Sequence, residues 1–451
     1  MTTSPRDPEG GRAGRGFGYE FDKIDPSPDA EYPEASPYWY SVPHSHTVLA
    51  VVRSVTTALA LVDLLPDLLG DRRVQTVFTV MPRQRDANFE RAVRRLIVDF
   101  GVREVPWDEA VGRRFDLIVT ASYEGFLDEL SGPTLILGHG AGFGKYLAVP
   151  PDGRIPVSGD PGSTTTMALS HSEQREYFAP EQHERARFVV IGDPWRDRLR
   201  ASLRQAERYR EAVGLRRDTR LIAVSSTWGE YSLIATNPDL LVRLLTELPI
   251  DAYRVAAILH PNVWFGHSTW QVRSWLRDAI DGGLILVPPR DAWRGVLVAA
   301  HALVGDHGSV MLHAAGIEKP VCFGAAPNDE LIAGGPSAEL EARVPRLDTS
   351  ERLRPQIDDL LANHDPAEHR ATMSRVFEHP GTSHAILRAT MYELMGLEEP
   401  ATPPRVLGVD LPEVVAEPVT AHRVHPTVDA DGALSVERFP AVLAAGKAPP
   451  P

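Results

Sequence analysis

The chain has 451 residues, with 61 acidic against 47 basic side chains, and its formal net charge is −14. That balance argues against a protein that wraps nucleic acid or docks electrostatically on an anionic membrane, because both need clustered Lys and Arg. A single cysteine, Cys322, excludes an intrachain disulfide and a cysteine-based zinc site, while 43% hydrophobic and 24% charged residues fit a globular chain of two or three domains.

Residues 1–44 are rich in Gly, Pro, Asp and Glu. About the first 35 read as disordered, with Tyr38, Trp39 and Tyr40 packing onto the folded body. The opening MTTSPRDPEGGRAGRG has no apolar stretch of a secretory signal, and no run reaches 18 apolar residues. A cytoplasmic protein is expected, with peripheral contact to the inner face of a membrane as its one membrane option.

Strands and helices then alternate. His46–Arg53 reads as a buried strand, Val55–Leu69 as a helix, Val74–Val80 as a strand and Ala87–Phe100 as a helix, followed by strands at Phe115–Ala121 and Thr134–Gly138. Continuous Val, Ile and Leu runs separated by helices predict a parallel sheet covered on both faces. The pattern restarts at strand Ala186–Ile191, which leads into an arginine-rich helix near Trp195–Val213 whose charges read as a solvated face.

Strands at Thr219–Ser225, Arg254–His260, Leu284–Val287, Ala302–Val304 and Pro320–Phe323 alternate with helices at Pro238–Leu248, Trp270–Ile280, Asp291–Ala300 and Ser309–Gly316. Helices near Arg352–Asn363, Pro366–Phe377 and Thr382–Met395 close the core. From about residue 400 the chain is rich in Pro, Ala and Val with no sustained period, and reads as a disordered tail dispensable for folding. The fold class is therefore α/β, with two facing Rossmann-like domains between disordered N- and C-terminal tails. The expected divisions are a mostly disordered 1–44, a first Rossmann-like domain at 45–200, a second at 201–396 and a Pro-rich tail at 397–451.

Five segments follow predicted strands and could carry chemistry. The first is Gly138-His139-Gly140-Ala141-Gly142-Phe143-Gly144-Lys145, where glycines allow close backbone approach and a histidine can serve as general base. The same run also reads as a glycine-rich turn whose histidine caps backbone groups. The second runs from Val304 to Pro320 and contains Gly305-Asp306-His307-Gly308-Ser309 at a helix start. It reads either as a phosphate site at a helix N-terminus or as a simple N-cap. The others are Ser225-Ser226-Thr227-Trp228-Gly229, His260-Pro261 and Gly192-Asp193-Pro194-Trp195-Arg196-Asp197. Trp264, Trp270, Trp275 and Trp293 read as packing residues. The signatures HExxH, GxSxG and GxxxxGK[ST] are absent.

The order of these segments resembles the CDP-glycerol glycerophosphotransferase family, the teichoic-acid polymerases and primases of the two-domain GT-B fold. That family carries an HG-x-x-x-K loop, a GxPRxD segment, a P-T-W/R turn, an HP, and a D-Y-S-S before a helix ending in GxP. The likeness spans about residues 130–330. It implies a metal-independent transferase of a nucleotide-activated donor, with no cofactor and a hydroxyl acceptor. His139 would be the catalytic base and His260 the second active-site histidine. Thr227, Asp306, His307, Gly308 and Ser309 would form the nucleotide diphosphate site, and Gly140, Gly142 and Lys145 the acceptor loop. The family's Tyr and first Ser are here His307 and Gly308, and the loop to Lys145 is one residue longer. Two other readings stay open: an enzyme like UDP-N-acetylglucosamine 2-epimerase, and a non-catalytic GT-B-like nucleotide-binding or scaffold protein.

Overall fold

The computed structural model describes residues 42–82, 87–122, 127–138, 140–141, 165–178, 183–184, 186–289, 292–325, 331–428 and 432–445. The chain divides between Pro43 and His44, and the following concerns His44–Pro451. The site residues His139, Gly142 and Lys145 lie outside the described residues.

The first lobe is built on six parallel strands: β1 (His46–Val52), β2 (Val74–Val80), β3 (Leu117–Thr120), β4 (Thr134–Ile136), β5 (Thr165–Leu169) and β6 (Ala186–Val190). Their order is β2-β1-β3-β4-β5-β6. The second lobe has β7 (Arg220–Ser226), β8 (Tyr253–Leu259), β9 (Ile285–Val287), β10 (Ala302–Gly305) and β11 (Val321–Phe323), also parallel, in the order β11-β10-β7-β8-β9. Two Rossmann-like sheets and the α/β class agree with the strand pattern in the sequence. Strand β5 was not anticipated, because Thr-Thr-Met-Ala-Leu carries a weak apolar signal; all five residues are nevertheless buried.

Helix Val55–Leu69 shows how local chemistry sets the elements. Ser54 accepts from the Thr57 backbone N–H while the Thr57 hydroxyl accepts from the Ser54 N–H, a reciprocal cap. Its inner face places Leu61, Leu64, Leu65 and Leu68 in the first core. Helix Ser383–Met395, late in the chain, returns to that same core through Leu387, Met391, Tyr392 and Met395. The first lobe is therefore incomplete without the end of the second.

The lobes are joined by helix Pro194–Ser202, capped by the Asp193 carboxylate, which accepts from the Arg196 N–H at 2.7 Å. The expected continuous helix to Val213 is instead broken by a tight turn at Leu203–Gln205. The expected solvated arginine face also fails at Arg198, which is 4% exposed. Arg198 donates to the Asp63 carboxylate and, at 2.9 Å, to the Asp63 carbonyl. It donates further to the carbonyls of Leu407 and Gly408 at 3.3 and 3.2 Å. A buried guanidinium needs this many acceptors because unpaired charge in a dry interior is costly. Asp197 accepts from the Gly381 N–H at 2.7 Å and from the backbone and hydroxyl of Ser383.

The described residues between 397 and 445 are not a disordered tail, contrary to the composition-based expectation. Arg73 donates to the Glu398 carbonyl at 2.8 Å, and Arg388 binds the Glu399 carboxylate at 2.6 Å and the Thr402 carbonyl at 2.8 Å. Val409 is buried in the second-lobe core, and its N–H donates to Ser202 at 2.9 Å. Val415 exchanges two backbone bonds with Leu286. A hairpin of β12 (His422–Val428) and β13 (Leu434–Pro440) follows, tied to the second lobe by Arg354–Glu437 and Arg438–Asp251 ion pairs. Composition missed this strap because its partners come from the folded body and leave no period in its own sequence.

Ending the chain after Leu397 removes Val409 from its core and strips Arg198 of two acceptors. Burial and lost bonds together predict a destabilisation of about 3–5 kcal/mol. An unaltered melting temperature of the truncated chain would show that the strap is decoration.

His384, at the junction, is 1% exposed, and burial with Arg198 nearby pushes it down to about 4 from 6.5. Between those values the unfolded chain binds a proton that the folded chain refuses. Stability is thus complete above about pH 6.5 and falls as pH drops towards 4, on the order of 2–3 kcal/mol from this group. In His384→Leu that share of acid sensitivity should vanish. Parallel stability curves for wild type and variant from pH 7 to 4.5 would remove His384 as the source.

Candidate functional site

Four loop segments meet at the carboxyl ends of parallel strands, the position where open α/β sheets bind ligands. Asp306, after β10, is 1% exposed and ties two of them together. One carboxylate oxygen accepts from the Thr227 N–H at 2.8 Å, the Thr227 hydroxyl at 2.8 Å and the Leu233 N–H at 2.9 Å. The other accepts from the Gly308 N–H at 3.1 Å. Four donors on one buried carboxylate fix the turn after β7 against the turn after β10. Asp306 and the Thr227 hydroxyl thus face into the protein, each satisfied by the other.

His307 is buried beside Thr227, its Nε2 3.4 Å from the Thr227 hydroxyl. Gly308 is the N-cap of helix Ser309–Gly316 and supplies no side-chain cap. A Cβ there would stand 2.8 Å from the Thr227 methyl, so only glycine permits this approach. The helix start is left with uncapped N–H groups and the positive end of its dipole. Such an end suits an anion.

The first lobe reaches this helix directly. A Cβ on Gly140 would lie 3.0 Å from the Ser309 hydroxyl oxygen, and Ala141 is buried in the second-lobe core. The chain leaving β4 therefore crosses between lobes and sets its backbone against Ser309. Gly140 and Ser309 are brought together; the position of His139 itself is outside the described residues.

His260 caps helix Pro261–His267, its Nδ1 accepting from the Asn262 N–H at 3.1 Å. In the neutral ring the proton then sits on Nε2, so that nitrogen is a donor and not a base. The ring lies on Trp228 with centroids 4.1 Å apart. Trp228 follows Thr227 and is 40% exposed.

Sequence reasoning missed His313. It is buried one turn into the 309–316 helix, with Nδ1 3.0 Å from the Ser309 carbonyl and Nε2 3.4 Å from the Asp193 carboxylate. Burial alone would raise the Asp193 carboxyl, but His313, the Arg196 N–H and Arg294 outweigh it and hold it below the usual range. Arg196 also donates to the Gly316 carbonyl at 3.2 Å. The inter-lobe segment thus holds, at His313 and at its C-terminal Gly316, the helix whose N-terminus faces Gly140. The available signal was the Ser309-to-His313 spacing of four, one helical turn. Among the described residues, no group of three or more His, Cys, Asp or Glu side chains is arranged to hold a metal ion.

No family model matches the chain, and no curated protein matches it. Solved structures do. The wall teichoic acid polymerase TagF aligns at 12% identity with a TM-score of 0.51, covering 79% of this chain and 90% of that one. A histidine-to-alanine variant of TagF aligns at 11% identity and 0.50 over the same shares. A glycosyltransferase from Rickettsia africae, 10% identical over 78% and 99% of the chains, scores 0.41 and carries no weight. The likeness establishes the fold: two facing Rossmann-like sheets of the GT-B type.

Asp306→Ala would leave the Thr227, Leu233 and Gly308 N–H groups without their acceptor. It should cost about 3–5 kcal/mol, against about 1 kcal/mol for Thr227→Val. A double-mutant cycle in urea unfolding should show strong coupling between the two positions, and additive costs would contradict the shared carboxylate.

Proposed function

We propose that the protein is a transferase that moves a group from a nucleotide-activated donor to an acceptor hydroxyl. The observation that carries this reading is the contact of Gly140, after β4 in one lobe, with Ser309 at the uncapped start of the 309–316 helix in the other. An anion binder and a candidate base loop on opposite lobes are what a transfer between two bound substrates requires.

In this reading the donor diphosphate sits on the N–H groups of Ser309 and Val310, with the Ser309 hydroxyl as a further donor. Asp306 and Thr227 act one layer below, holding the turn rather than touching phosphate. His260 presents Nε2–H towards the leaving group. His139 takes the proton from the acceptor hydroxyl as its oxygen attacks. The bond to the nucleotide phosphate breaks, and the negative charge appearing on the leaving phosphate is met by fixed dipoles. His307, standing where the resembling family has Tyr, packs against Thr227 and supports the turn from within. The donor is CDP-glycerol or a nucleotide sugar, as the TagF-like fold and the order of segments suggest.

The test pairs binding with turnover. CDP-glycerol, CDP-ribitol, UDP-sugars and GDP-sugars are screened by thermal shift, and the best is followed for release of CMP, UDP or GDP with and without acceptor. His139→Ala should lower turnover by about 10²–10⁴ with nucleotide affinity kept. Ser309→Ala should weaken nucleotide binding by up to about tenfold. Interconversion of two UDP-sugars without transfer would favour an epimerase, and tight binding with no turnover a scaffold.

A further inference from the structure

The tryptophans that read as core residues divide in the structure. Trp264 is buried, but Trp270 is 75% and Trp275 57% exposed. Water-facing indoles of this extent carry a cost in apolar exposure that packing does not explain. They are also continuous with the candidate site. Trp228, beside the Thr227 turn, lies on His260 at 4.1 Å, and His260 starts helix Pro261–His267. His267 ends that helix and meets Trp275 edge-on at 4.8 Å. Trp275 closes the next helix, Thr269–Trp275, and Trp270 opens it. At 1.5 Å per residue the first helix spans about 10 Å between its His260 cap and His267.

We propose that Trp228, Trp275 and Trp270 form a track for an oligosaccharide acceptor, running from the candidate site outward along these two helices. The proposal rests on the reading that an acceptor hydroxyl is consumed at that site. The C–H face of a sugar ring is apolar with a slightly positive edge, which suits the negative face of an indole. The side chains between the two tryptophans around the helix, Gln271 and Ser274, are polar and suit ring hydroxyls. An anionic membrane fits less well, since it selects clustered Lys and Arg. Here Arg277 is paired with Asp281 at 3.0 Å, with Asp278 adding a second negative charge near it. A protein partner would call for a contiguous apolar centre, and none separates these rings.

The experiment compares the full chain with the double variant Trp270→Ala/Trp275→Ala on immobilised oligosaccharides of varied sugar and graded length. Wild type should be retained with affinity rising with chain length, and each lost ring should cost roughly three- to tenfold. Melting temperature should not change, since both rings are exposed. CDP and UDP binding is measured calorimetrically on both proteins and should be equal. Absence of nucleotide binding in both would defeat the transferase reading alone, leaving the sugar result to decide the track. No retention of wild type, or equal retention of the variant, overturns the track. So does tryptophan-dependent binding to phosphatidylglycerol vesicles in place of sugars.

Discussion

Everything in this architecture depends on one short helix with its charges turned inward. Pro194–Ser202 connects two sheets that have no strand in common. Asp193 reaches forward to His313, Asp197 holds the start of the returning helix at Gly381 and Ser383, and Arg198 spans Asp63 in the first lobe and the strap behind. Each of these charges is buried, and each is satisfied by partners from a distant part of the sequence. Removing one would leave another uncompensated in a dry interior, a heavier cost than the contact it made.

The same logic of inward-facing charge shapes the site. A carboxylate beneath the proposed anion-binding turn would repel an anion if it were free. Asp306 instead receives four hydrogen bonds, which disperse its charge and make the turn rigid. Rigidity matters because donors fixed in advance stabilise developing charge without reorganising. The helix they precede is held from behind by Asp193 and Arg196. The geometry at Gly140 and Ser309 is therefore set from both lobes.

The strands that carry the fold were readable because parallel, doubly covered strands write themselves as unbroken Val, Ile and Leu. Nearly every such run became a strand, and β5 escaped because two threonines and an alanine dilute it. The loops after β4, β7, β8 and β10 were readable from glycine, histidine and hydroxyl residues at strand ends. Their internal wiring was not. Nothing local says that Asp306 bonds residue 227 rather than a ligand, or that Arg198 among many arginines is the buried one. Those facts belong to partners far away in sequence, as does the strap. Exposure of Trp270 and Trp275 was likewise hidden, since composition assigns indoles to cores on average.

The path of the strap has a consequence for how the protein is made. Synthesis is vectorial, and domains generally fold in the order they emerge. Here the first lobe lacks Leu387, Met391 and Tyr392 of its core, and Arg198 lacks the carbonyls of Leu407 and Gly408, until the polypeptide has grown past residue 408. The two lobes can collapse early, but their junction matures only when residues 407–409 thread across it. A nascent chain stalled before that point would expose a buried-charge cluster to water and remain open, so closure of the junction reports that synthesis has passed Gly408.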